Sequence, residues 1–202
     1  MLTRELIEEL AMIARRGSEQ AADALGRLTG HAITVHIDAV RSDRLDSICD
    51  KLAPCHQPCI GLVARLQGAL EGNLALVLGE PTARQLIADL NPGAEPAADA
   101  YDDYARSILR EVANIALSTY INSLGAHLAR YCLPGPPDFV RDLGGAIAAG
   151  LLLETAAHSD AGLVFTTRME DATGARCCHL LFIPSPTALP LLMEGLSDDR
   201  GE

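Results

Sequence analysis

The chain repeats itself, and this limits its fold more than any other feature. Gly61-Leu62-Val63 is matched by Gly162-Leu163-Val164, and Pro81-Thr82-Ala83 by Pro186-Thr187-Ala188. Each Pro-Thr-Ala triplet follows a strand-like apolar run, 74–78 or 179–183, and opens a short amphipathic helix ending near Leu90 or Leu196. A proline just inside a helix start is favourable, because its missing N–H has no partner there anyway. Each unit also begins with a long helix, about 3–28 and 99–127. Asp99 is the expected N-cap of the second, with Asp102 and Asp103 suited to the positive end of its dipole. Shorter helices are expected at 42–52 and 143–157. Hairpins are expected from 60–68 with 72–79 and from 162–169 with 176–183, turning near Glu71-Gly72-Asn73 and through 170–175. The Pro/Gly/Ala-rich run 91–98 divides the units. The fold class is therefore α/β (α+β), a pseudo-twofold repeat of helix-strand-helix-strand-strand-helix. It forms one domain over 1–202 with repeats of about 1–91 and 99–197. Antiparallel hairpins are covered by helices, and the two long helices are the natural site of surface function.

Bulk properties narrow the function. With 49% hydrophobic residues in 202, the chain can bury a sizeable core, built from Ala, Leu, Ile and Val because aromatics make up only 3%. A net charge of −11 argues against nucleic acid and against an anionic membrane surface. The N-terminus has no basic n-region or apolar h-region, and runs such as 146–153 are too short to span a bilayer, so a cytoplasmic protein is expected. Cysteines at 49, 55, 59, 132, 177 and 178 are then reduced thiols. Cys55 and Cys59 form one loose pair with no second pair at matching spacing, so no metal site is expected. Cys177 and Cys178 are adjacent on a strand and should point to opposite faces.

The second long helix carries an apolar face of Leu109, Val112, Ala113, Ala116 and Tyr120. Opposite it runs a stripe of Ser107, Glu111, Asn114, Ser118 and Asn122. At 3.6 residues per turn, positions 107, 111 and 114 fall within about a sixth of the circumference. Periodicity alone makes this the solvated side of an amphipathic helix.

The spacing carries a further resemblance. Ser107, three residues, Glu111, two residues, Asn114 and then Pro137 after twenty-two more match the signature of the CheC/CheX/FliY chemotaxis phosphatases. The segment Glu111–Leu124 resembles the family's second signature helix, and the whole chain is most similar to CheC. Aligning Ile13–Leu25 with Val112–Leu124 places Glu8, Met12 and Arg15 opposite Ser107, Glu111 and Asn114. The first site thus departs from the pattern and only the second signature helix is intact. Arg15-Arg16 is expected to be a solvated pair of charges.

The resemblance implies an aspartyl-phosphate phosphatase acting on a CheY-type response regulator, with CheD a further candidate partner. Asn114 would position the attacking water and Glu111 would dock on the regulator's lysine. Ser107 would shape the helix surface, and Pro137 would set the chain path. The protein would bring no cofactor of its own, the regulator supplying Mg2+. Two other readings remain. One is a non-catalytic binding regulator acting through CheY or CheD. The other is a flagellar-switch component, from which the immediate start of helix one and the short tail after Leu196 are expected to set the chain apart.

Overall fold

The structure is a computed structural model. It describes residues 4–44, 57–91, 101–156, 161–174, 177–188, 190–192 and 194. In chain order the elements are α1 (Arg4–Thr29), β1 (Ile33–Arg44), β2 (Pro58–Gly68), β3 (Gly72–Gly79), α2 (Glu80–Leu90), α3 (Asp103–His127), β4 (Cys132–Pro134), β5 (Asp138–Leu143), α4 (Gly144–Ala156), β6 (Ala161–Asp171) and β7 (Cys177–Pro184).

Apolar residues at three- and four-residue steps turn one flank of each long helix inward. On α1 these are Leu10, Ile13, Ala14, Ala21, Ala22 and Leu25, all buried. On α3 they are Leu109, Val112, Ala113, Ala116, Leu117, Tyr120, Ile121 and Leu124. An offset of 99 residues superimposes these two buried sets nearly position for position, as the alignment of Ile13–Leu25 on Val112–Leu124 requires.

The hairpins β2–β3 and β6–β7 form as expected, and β3 pairs with β7 to join them. All ladders are antiparallel, in the order β1-β6-β7-β3-β2-β4, with β5 also on β2. The outer strands are exchanged. β1, from the first repeat, pairs with β6 of the second, while β4 and β5, from the second, pair with β2 of the first. The pseudo-twofold relation extends to a defect. β1 breaks register between Ile37 and Ala39, and its counterpart is interrupted between β4 and β5 by Gly135-Pro136-Pro137. Proline has no N–H to give a ladder, so it is confined to such breaks and edges.

The sheet is covered on both faces. Leu62, Leu74, Leu76, Leu78, Phe165, Leu180 and Phe182 pack with α1, α2 and α3. Ala75, Val77, Val164, Leu181 and Ile183 pack with Ile147, Ala148, Leu151 and Leu152 of α4. β3 is accordingly buried along nearly its whole length, which is why its sequence reads as a continuous apolar run rather than an alternating one.

Several expectations need correction. Residues 42–44 continue β1 rather than opening a helix, and 45–52 lie outside the described residues. The cap of α3 is Asp102, whose carboxylate accepts from the Ala105 N–H at 2.7 Å, and not Asp99, which lies outside the described residues. Pro186-Thr187-Ala188 forms a turn, with a Ser185–Thr187 hydroxyl contact of 2.7 Å, and the described helical residues after it begin at 190. The Gly-Leu-Val triplets are not equivalent. Gly61 faces Val77 in mid-hairpin, whereas Gly162 lies beyond the last β6–β7 pair and faces Asp43 of β1. Short apolar strands draw on few residue types, so such matches arise without common position.

A repeat that the sequence reading passed over lies at the helix ends. A Cβ on Gly26 would sit 2.9 Å from the carbonyl oxygen of His31, and one on Gly125 would sit 2.6 Å from that of Arg130. In each case the missing side chain lets the chain leave the helix tightly toward its next strand. Gly125→Ala is expected to cost about 1–3 kcal/mol, because backbone rather than a flexible side-chain tip must move. A lower denaturant midpoint with unchanged slope in urea unfolding checks this.

Candidate functional site

Ser107, Glu111 and Asn114 are all exposed on α3, on the flank opposite its buried face. Three layers of contact hold that helix in place. Beneath it lies the apolar floor. Tyr120 is fully buried and meets Phe182 edge-on at 6.2 Å, and Phe182 stacks on Phe165 at 5.2 Å. Burial alone pushes the Tyr120 phenol far above its ordinary pKa, so it stays neutral. Beside it lies α1, approaching closely enough that a Cβ on Gly17 would stand 3.0 Å from the Tyr120 ring.

The third layer secures the helix start. Asp102 caps it. Tyr101, immediately before the cap, is buried and packs against Phe139 of β5 at 5.5 Å. The Arg106 guanidinium sits over the Phe139 ring at 5.2 Å, and that of Arg141 over Tyr101 at 5.8 Å. Glu80 at the start of α2 binds both Arg141 and Arg84, at 2.5 and 3.1 Å. The hydrogen bond from Arg141 is the main reason the Glu80 carboxyl is held below its ordinary pKa. Cations on aromatic faces and a carboxylate shared by two guanidiniums thus clamp β5, α2 and α3 together. Pro137 is buried immediately before β5, the strand that carries Phe139 and Arg141. The four spaced positions therefore divide in the fold. Three lie on the helix surface, and the fourth stands at the start of the strand that braces the helix.

This brace was missed in the sequence. Tyr101 and Phe139 are far apart along the chain, and the only local sign was an aromatic next to a capping Asp. Asp102→Ala is expected to cost about 1 kcal/mol through loss of the cap. Thermal unfolding should detect it, while the circular dichroism of the folded state stays unchanged.

The equivalent surface of α1 carries Glu8, Met12 and Arg15, also exposed. Met12 is 59% exposed. Arg15 is drawn along its own helix to Glu19 at 3.0 Å, so it is an intrahelical ion pair rather than an amide-like donor.

Among the described residues no group of three or more His, Cys, Asp or Glu is arranged to hold a metal ion. Cys49 and Cys55 lie outside the described residues, and Cys59 is fully buried beside α4. Cys177 and Cys178 face opposite sides of β7. Cys178 is in the core, where burial pushes its thiol up to about 12, and Cys177 is half-buried. No described helix is long and apolar enough to cross a membrane.

No family model matches the sequence. Among curated proteins, the chain is 21% identical over 187 residues to a Bacillus subtilis protein named CheY-P phosphatase CheC, covering 91% of this chain and 90% of the relative. Among solved structures, it superimposes on Thermotoga maritima FliY with a TM-score of 0.76 at 18% identity, covering 98% of each chain. A crystal structure of a CheX–CheY–BeF3–Mg2+ complex from Borrelia burgdorferi matches at TM-score 0.53 and 14% identity, covering 85% of this chain and 96% of the other.

Proposed function

We propose that this chain, similar to CheC, CheX and FliY proteins, hydrolyses the aspartyl phosphate of a CheY-type response regulator. The observation that carries this reading is the pair Glu111 and Asn114, exposed about one turn apart on a helix whose other side is locked into the core. An acyl phosphate is already activated, so hydrolysis needs an in-line water and compensated phosphoryl charge more than covalent help. The Asn114 amide can hold a water with its carbonyl oxygen while its NH2 group donates to a phosphoryl oxygen. Glu111 is an anion and would repel the phosphate unless a cation lay between them. The regulator's lysine supplies that cation in this reading, and the resulting ion pair fixes the register of docking. Ser107 lies on the same stripe and shapes the docked surface. Mg2+ held by the regulator would supply charge compensation for the phosphoryl group, and no residue of this chain is assigned to hold it.

The equivalent face of α1 is assigned no chemistry, since Met12 offers no charge and Arg15 is engaged by Glu19. That half-empty arrangement also favours a second reading, a binding regulator acting through CheY or CheD without turnover. Phosphate release from a phosphorylated CheY-type regulator separates the two. Wild-type protein is expected to accelerate release over the regulator alone. Binding without acceleration would leave only the second reading.

A further inference from the structure

Docking a protein takes more than chemistry. Ser107, Glu111 and Asn114 are small or polar, and interfaces draw most of their affinity from a few rigid aromatic or Arg anchors. Among the described residues, α3 leaves one large hydrophobic side chain exposed, Tyr104 at 59%. It stands seven residues before Glu111, two turns along the helix and about 20° around it, so it prolongs the stripe toward the helix N-terminus. From Tyr104 to Asn114 the stripe runs about 15 Å.

The chain has only 4 Tyr, 3 Phe and no Trp. Tyr101, Tyr120, Phe139, Phe165 and Phe182 are all in ring contacts, which leaves Tyr104 and Tyr131 as the exposed aromatics. A chain so short of aromatics keeps one in water in line with Glu111. At the offset of 99 the α1 counterpart is Glu5, so the aromatic accompanies only the helix that keeps Glu and Asn. Exposed Asp102 and Asp103 precede it at the helix start, so a fitting partner surface has an apolar seat with basic side chains toward that end.

We infer that Tyr104 is the docking anchor for the regulator, setting affinity while Asn114 sets the rate. This rests on the functional reading above. The test is Tyr104→Ala and Tyr104→Phe, assayed for phosphate release and for binding to the regulator carrying beryllofluoride in place of phosphate. Tyr104→Ala is expected to raise KM and weaken binding about tenfold, with kcat within about twofold of wild type. Tyr104→Phe is expected to retain wild-type values, and both variants to melt with wild type because the side chain is exposed. Unchanged KM and affinity in Tyr104→Ala, or a fall in kcat alone, overturns the inference. A wild-type protein that neither binds nor dephosphorylates the regulator overturns the functional reading and this one with it.

Discussion

Replacing Asn114 by Ala is expected to lower kcat for phosphate release about 10²-fold, with little change in KM. The side chain is exposed, so its removal opens no cavity and leaves the buried face of α3 intact. What is lost is the amide that holds water in line. Positioning of this kind is worth about 3 kcal/mol when a misplaced reactant costs two orders of magnitude. The KM should hold, because Glu111 and the rest of the stripe still dock. Steady-state phosphate release, at regulator concentrations spanning KM, separates the two parameters. A variant as fast as wild type would remove Asn114 from the chemistry. Asn114→Asp is a stricter control. It keeps the shape and replaces the NH2 donor by a second anionic oxygen facing the phosphate, so it should be at least as slow as Ala.

Phe182→Ala is expected to be the most damaging single change to stability, at about 4 kcal/mol. Phe182 is fully buried on β7, stacks on Phe165 and receives the edge of Tyr120. Its removal leaves a ring-sized void between the sheet and α3 that rigid helices cannot close. For a chain of this length such a loss lowers Tm by roughly 10 °C, which calorimetry would read directly. Leu or Met at 182 should recover part of it, because volume matters more than aromaticity in a filled core. The same void lies under the helix that carries Asn114, so residual activity should fall with temperature earlier than in wild type.

The long helices were legible to within a few residues, because a 3.6-residue pattern of Ala and Leu over more than six turns has no competing interpretation. The hairpins were legible through their turns. Strand partners beyond the hairpin were not. Whether β1 pairs within its own repeat or with β6 depends on contacts across most of the chain, and local pattern holds no record of them. The cap was misplaced by three residues because 99, 102 and 103 are all Asp, and local pattern does not show that Tyr101 is buried beside the cap. At the site, Ser107, Glu111 and Asn114 could be read from spacing, and the structure puts all three on the exposed flank. The bracing of that helix by Tyr101, Phe139, Arg106, Arg141 and Glu80 could not be read. It is assembled from three elements, with α2 and β5 far apart in sequence.

The exchange of outer strands has a consequence for synthesis. When the first half leaves the ribosome, its β2–β3 hairpin can close, but β1 has no partner until β6 is made, over a hundred residues later. β2 meanwhile offers a bare edge that only β4 and β5 will cover. Loop closure across such distances is slow, and open edges invite pairing with other chains. The nascent first half therefore waits as an incomplete sheet, and its need for protection ends only when the last hairpin emerges.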